Sequence, residues 1–170
     1  MFKNIREDLK TYNGNYGAQG FWAMIVFRFG KWRYSIKNTI IRKIFSLLYK
    51  IMYKFVQILT GIELPCEVNI GDNFRIDHFG SVIISGFASF GDNCTLRNNV
   101  TIGLKNLNDP GAPDIGNNVD VGSGAMILGN ITIGNNVNIG ANAVVMKDIP
   151  DNCIAVGIPA EIKRIEEKLR

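Results

Sequence analysis

Between Ile115 and Pro150 an aliphatic residue returns at every sixth position: Ile115, Val121, Ile127, Ile133, Ile139 and Val145. Four residues after each stands a second residue small or apolar enough for an interior: Val119, Ala125, Ile131, Val137, Ala143 and Ile149. Gly, Asn, Asp and Ser fill the gaps. Side chains two apart on a strand share a face, and glycine and asparagine accept the left-handed backbone angles of tight corners. Each six-residue unit therefore predicts a short strand plus a turn. Alone, such a unit cannot bury its apolar face, so the units are expected to stack into a solenoid.

The register extends backwards with two breaks. Leu64, Ile70, Ile76 and Val82 keep the six-residue step, with Val68 and Phe74 as second inward residues, and Ile84, Phe90, Leu96 and Ile102 resume it two residues out of phase. The step from Ile102 to Ile115 is thirteen residues, and its filling, with Asn-Asp-Pro-Gly and Ala-Pro, predicts a loop at 104–114 thrown out from a corner. The interruptions at about 77–81 and at 104–114 are where a regular wall would carry a site.

Ahead of the solenoid, residues 1–20 predict a short polar helix and a Gly-containing turn. Residues 21–34 and 36–60 carry apolar residues at helical spacing, the second stretch stopped by Thr60-Gly61. The charged stretch from Ala160 to Arg170 predicts a short helix capping the last coil. The expected fold is mainly β: an N-terminal helical segment over 1–62, a parallel β-helix over 63–159 and a C-terminal capping helix over 160–170.

Charge sharpens the picture of the N-terminal segment. The formal net charge of the 170 residues is +4, yet no acidic residue falls between Asp8 and Glu63, a stretch holding Lys10, Arg28, Lys31, Arg33, Lys37, Arg42, Lys43, Lys50 and Lys54. Arg42, Lys43, Lys50 and Lys54 interrupt the run that a transmembrane span would need. Two roles stay open for residues 21–60: packing on the solenoid or on other copies, and adsorption to an anionic membrane surface. Phe21, Trp22, Trp32, Tyr34, Tyr49 and Tyr53 suit the second. Nucleic acid is not expected, because the basic residues accompany an apolar helix rather than base-reading groups. The N-terminus lacks a secretory layout, so a cytoplasmic location is expected, extending to the inner face of the cell membrane if the helices adsorb there. Cys66, Cys94 and Cys153 have no metal-ligand spacing, and Cys94 falls on an inward position.

The chain has one histidine, His78, at the first break. A lone histidine is ordinarily structural, but Ile76 faces the core, so Asp77 and His78 occupy the corner. Phe79-Gly80-Ser81 then lift the backbone clear of the wall. An imidazole raised there is placed to act as a general base. A base needs an orienting partner on its other ring nitrogen. Glu63, fifteen residues earlier, lies slightly under one turn away if three rungs make a turn, and Asp77 is the competing partner.

Several segments carry a family resemblance: Asp77-His78, Asn93-Cys94 through Val100-Thr101-Ile102-Gly103, Ile127-Leu128-Gly129-Asn130-Ile131, Ile139-Gly140-Ala141, Val145 to Pro150 and Ala155 to Ala160. Over residues 61–164 the chain resembles the hexapeptide-repeat, left-handed parallel β-helix acyltransferases, in particular the serine O-acetyltransferases and their relatives in bacterial polysaccharide gene sets. The resemblance implies a homotrimer with clefts between neighbouring β-helices and acetyl-CoA lying along the coils. It makes His78 the general base and Glu63 its orienting acid. It also places Gly103 and Leu104 near the thioester, and Gly122, Ala141, Lys147 and the Gly157-Ala160 segment, with Pro159, beside the pantetheine and nucleotide. No metal is implied, and one histidine per chain argues against a zinc hydratase.

One departure bears on the acceptor. Serine acetyltransferases carry an Arg-His pair just before the proline matching Pro113, where this chain has Gly111 and Ala112. The charge that would hold an amino-acid carboxylate is missing. The expected reaction is acetyl transfer from acetyl-CoA to a hydroxyl, of a sugar in a cell-surface polysaccharide or its precursor. The rivals are N-acetylation of an amino sugar nucleotide, serine O-acetylation, and a non-catalytic trimeric scaffold that binds no CoA.

Overall fold

A computed structural model describes residues 2–106, 108 and 110–165. Three helices, α1 (Phe2–Thr11), α2 (Gln19–Arg33) and α3 (Thr39–Thr60), precede a triangular prism of parallel strands. The first wall stacks β1 (Ile62–Glu63), β4 (Val82–Ile84), β7 (Thr101–Gly103), β10 (Met126–Leu128) and β13 (Val144–Val145). The second stacks β2 (Asn69–Ile70), β5 (Ser89–Phe90), β8 (Asp114–Ile115) and β11 (Thr132–Ile133). The third stacks β3 (Arg75–Ile76), β6 (Thr95–Leu96), β9 (Asp120–Val121), β12 (Asn138–Ile139) and β14 (Cys153–Val156).

The strands are two to four residues long because only the inward residue and its neighbours lie flat before the next corner. Their inward side chains form vertical files. Ile84, Ile102, Ile127 and Val145 register on the first wall, and Ile76, Leu96, Val121, Ile139 and Ala155 on the third. Both interruptions lie where the periodicity put them. Ile83 pairs with Thr101 and Ile84 with Ile102, so the corner carrying His78 holds two residues more than its counterparts. Ile102 registers with Ile127 and Ile115 with Ile133, so the loop after Gly103 hangs from the corner between the first and second walls. The last coil is shorter: Ile149 bridges to Ile133 and takes the second-wall place in its file.

The corner between the second and third walls is held by a ladder. Asn73, Asn93, Asn118, Asn136 and Asn152 all have φ between 55° and 58°, and each carboxamide donates to the next at 2.9–3.0 Å. Asparagine tolerates this angle and satisfies itself along the stack, which is why it recurs at these corners.

The head of the prism is closed by helices. The Tyr12 hydroxyl accepts from the Ile76 amide at 2.9 Å, and Arg75 donates to the Thr11 carbonyl at 3.0 Å, so α1 occupies the open edge of β3. Burial raises the Tyr12 hydroxyl above its usual range, keeping it protonated. Helix α2 is apolar nearly all round and sits on the first coil so closely that a Cβ at Gly20 would meet the Ile76 carbonyl oxygen. Arg28 donates to Asp8 at 2.9 Å through two nitrogens, a pair largely removed from water.

One expectation needs correction, and one open reading narrows. The stretch from Ala160 is not a helix: after the turn at Gly157 (φ 95°), Glu161–Arg164 forms β15, antiparallel to β14. The free edge of β14 offers backbone hydrogen bonds, and the charged run alternates enough to pair there, with Ile162 packed against the core. Residues 166–170, to which the predicted helix extended, lie outside the described residues. The membrane role left open for residues 21–60 narrows. Phe21 and Tyr49 are buried, Arg33 stacks on the rings of Tyr34 and Tyr49, and Arg28 is paired, so α2 is an interior helix.

Candidate active site

His78 stands on the corner between β3 and β4. The two extra residues there put it in the left-handed region (φ 71°), and Gly80 follows at φ 134°. For a residue with a Cβ that conformation is uncommon and costs energy unless the surroundings hold it. Arg75, Tyr12 and α1 secure the chain before the corner, and Gly61, the left-handed cap of α3, lies against Gly80 and Ser81 after it. The imidazole is exposed and makes no hydrogen bond or ion pair with another described residue. Phe79 beside it is 62% exposed.

The two candidate acids have different company. Glu63 is on β1, its neighbour in register being Ile83 of β4, one coil from the His78 corner. Its Oε2 accepts from Gln57 Nε2 at 2.9 Å, and its charge adds to burial in raising the Tyr53 hydroxyl above the usual range. Asp77 accepts from Arg75 Nε at 2.5 Å, with both side chains partly exposed. Neither carboxylate is hydrogen-bonded to His78 within the protomer.

The residues expected to border acetyl-CoA fall on two edges of the prism. Gly122, Ala141 and the Gly157–Ala160 turn share the edge between the third and first walls, directly in line with His78. A Cβ at Gly122 would come within 2.5 Å of the Ala141 nitrogen, Val144 N donates to Gly157 O at 3.0 Å, and Ala160 N donates to Val144 O at 2.9 Å. Gly103, Leu104 and Lys147 lie on the opposite edge of the first wall, where the 104–113 loop departs and Lys147 is exposed. The first wall therefore separates two groups that the resemblance assigned to one ligand.

Sequence reasoning passed over the polar residues that line the histidine's own edge. Asn98 lies under Gly80, its Oδ1 accepts from Ser123 Oγ at 2.9 Å, and its carbonyl accepts from Gly124 N at 3.0 Å. On the third wall, Arg97 forks onto Asp120 at 2.5 and 3.1 Å, and that carboxylate raises its already high pKa. With Arg75 and Asp77 these line a shallow polar depression next to the His78 corner. Arg75, Thr95 and Asp120 share one file across successive coils, with Asp77 and Arg97 two positions further along theirs, and that register becomes visible only once the two insertions are counted out.

Residues 113–147 match the family model for the bacterial transferase hexapeptide (six repeats). The chain is 38% identical over 144 residues to a serine acetyltransferase of Synechococcus elongatus, a match covering 84% of this chain and 56% of that protein. It thus spans little more than half the length of that relative. It is 35% identical over 136 residues to the putative colanic acid biosynthesis acetyltransferase WcaB of Escherichia coli K12, covering 79% of this chain and 82% of that one. Among solved structures, the soybean serine acetyltransferase apoenzyme superposes with a TM-score of 0.80 at 26% identity, over 95% of this chain and 68% of the soybean chain.

Proposed function

The chain belongs to the hexapeptide-repeat acetyltransferases, proteins wound as a left-handed parallel β-helix, and from that premise we propose that it moves an acetyl group from acetyl-CoA to a hydroxyl of a sugar. The acceptor is a cell-surface polysaccharide or its precursor. The observation that carries the reading is His78: the chain's one imidazole, exposed, without a hydrogen bond or ion pair to another described residue, and held in a left-handed corner above a glycine-rich edge.

The imidazole takes the hydroxyl proton as the acceptor oxygen attacks the thioester carbonyl carbon. The tetrahedral intermediate then collapses, the C–S bond breaks, and the sulfur leaves with the proton from the imidazolium. A backbone N–H at Gly103-Leu104 would stabilise the oxyanion, a contribution of about 3–4 kcal/mol. Glu63 orients the ring, while Asp77 is committed to Arg75.

The working unit is a homotrimer. Gly103 and Lys147 lie on one edge of the protomer and Gly122 and Ala141 on another. A second copy set against the first wall brings one edge of each kind to a common groove, which a single chain cannot do. Serine is disfavoured as acceptor, because Gly111 and Ala112 supply no charge for its carboxylate.

Following CoA release with a panel of neutral oligosaccharides, free serine and an amino sugar nucleotide tests the reading. Turnover is expected with the oligosaccharide, and His78→Ala should abolish it without changing the oligomeric mass. Retained turnover in that variant overturns the role of the histidine; turnover on serine alone overturns the acceptor.

A further inference from the structure

Helix α3 keeps one face against α2 and the first coil and turns the other outward. Ile40, Ile44, Leu47, Ile51, Phe55 and Ile58 follow one another at steps of three or four residues and are between 59% and 73% exposed. They form one apolar stripe along a helix of 22 residues, roughly 33 Å long. A continuous exposed stripe of this kind marks an interaction surface. Lys43, Lys50 and Lys54 stand three residues after Ile40, Leu47 and Ile51, so they border the stripe along one side. Lys54 also donates to Gln57 at 3.0 Å.

We propose that this face of α3 is a docking surface for an anionic lipid bilayer, on which the helix lies in the plane of the interface. Among the described residues no helix is long and apolar enough to cross a membrane, so the contact is peripheral. The occupant follows from charge. From residue 9 to residue 62 the chain has no carboxylate side chain, so stripe-to-stripe packing of two α3 helices would bring lysine borders together with no carboxylate on either helix to neutralise them. A surface of anionic headgroups accepts the apolar stripe and the lysines together. The inference does not depend on the acetyl-transfer reading. If both hold, the enzyme meets its acceptor where lipid-carried glycans lie.

Co-sedimentation of the whole protein with phosphatidylcholine vesicles, with and without 30% phosphatidylglycerol, tests it. Binding is expected to the anionic vesicles at low ionic strength and to be lost at high salt. Each lysine near such a surface contributes about fivefold, so K43Q/K50Q/K54Q should weaken binding roughly a hundredfold. Ile51→Asn with Phe55→Asn should abolish binding while leaving the circular dichroism, the oligomeric mass and any acetyltransferase activity unchanged. Failure of the native protein to sediment overturns the proposal, as does binding insensitive to both salt and the lysine substitutions. A fall in oligomeric mass in the Ile51/Phe55 variant also overturns it, by assigning the face to a second copy.

Discussion

Two glycines of the first-wall region call for opposite outcomes from the same substitution. At Gly122 an added Cβ would lie 2.5 Å from the nitrogen of Ala141, 2.8 Å from the carbonyl carbon of Gly140 and 2.9 Å from the Ala141 Cα, all backbone atoms of the next coil. Ordinary carbon contacts are about 3.5–4.0 Å, so that coil must move by about 1 Å. The movement strains the bond from Gly122 N to Ile139 O at 2.7 Å. Overpacking of this kind costs about 1–3 kcal/mol, and Gly122→Ala should lower Tm by roughly 2–12 °C at fixed protein concentration. At Gly103 the nearest atom to a built Cβ is Ser85 Cβ at 3.7 Å, an ordinary contact, and the backbone is not left-handed. There alanine reduces the freedom of the unfolded chain and stabilises by about 0.4–1 kcal/mol. Packing within the protomer thus gives no reason for glycine at 103, whereas a thioester passing close to the backbone does. Gly103→Ala is expected to keep or raise Tm while lowering kcat/KM for acetyl-CoA at least about tenfold, or 1.4 kcal/mol. Differential scanning fluorimetry and steady-state CoA release read both arms. Unchanged kcat/KM in Gly103→Ala would refute the placement of the thioester, and an unchanged Tm in Gly122→Ala would refute the packing argument.

Glu63→Gln should reduce kcat by about a hundredfold or more with little change in KM, and Asp77→Asn, which loosens only the Arg75 pair, by less than about tenfold; steady-state kinetics separate the two. Asp8→Ala strands the largely buried Arg28 guanidinium and should cost about 3–5 kcal/mol, seen as loss of the α1–α2 contact in hydrogen exchange. Ile102→Ala, in the middle of the first-wall file, should destabilise by about 2–5 kcal/mol in a denaturant titration. Cys94 is fully buried and burial raises its thiol pKa, so it should resist Ellman's reagent at pH 8 until the protein is unfolded.

The periodicity carried most of the fold because each strand's place depends on its own few residues. The two-residue shift of phase between Val82 and Ile84 already located the His78 insertion, and the long step from Ile102 to Ile115 located the loop. The C-terminal stretch was misread because Glu161–Arg164 is short and charged, and its state depends on the unpaired edge of β14 rather than on its own propensity. Likewise the apolar face of α3 reads in sequence as one to be buried, yet α2 and the first coil cover only part of the helix and leave the stripe from Ile40 to Ile58 open.

The sequence by itself determined the solenoid, its two breaks and the single histidine standing at one of them, because a six-residue step needs no partner to be read. Only the tertiary structure decided which edge each residue occupies. It set Gly122 and Ala141 in line with His78 and Gly103 on the other side of the first wall, and it gave Asp77 to Arg75. The physical reason is that neighbours across coils are separated by 16 to 25 residues, a distance that the insertions and the short last coil alter. Which side chains share a corner is therefore a property of the wound chain and not of any stretch along it.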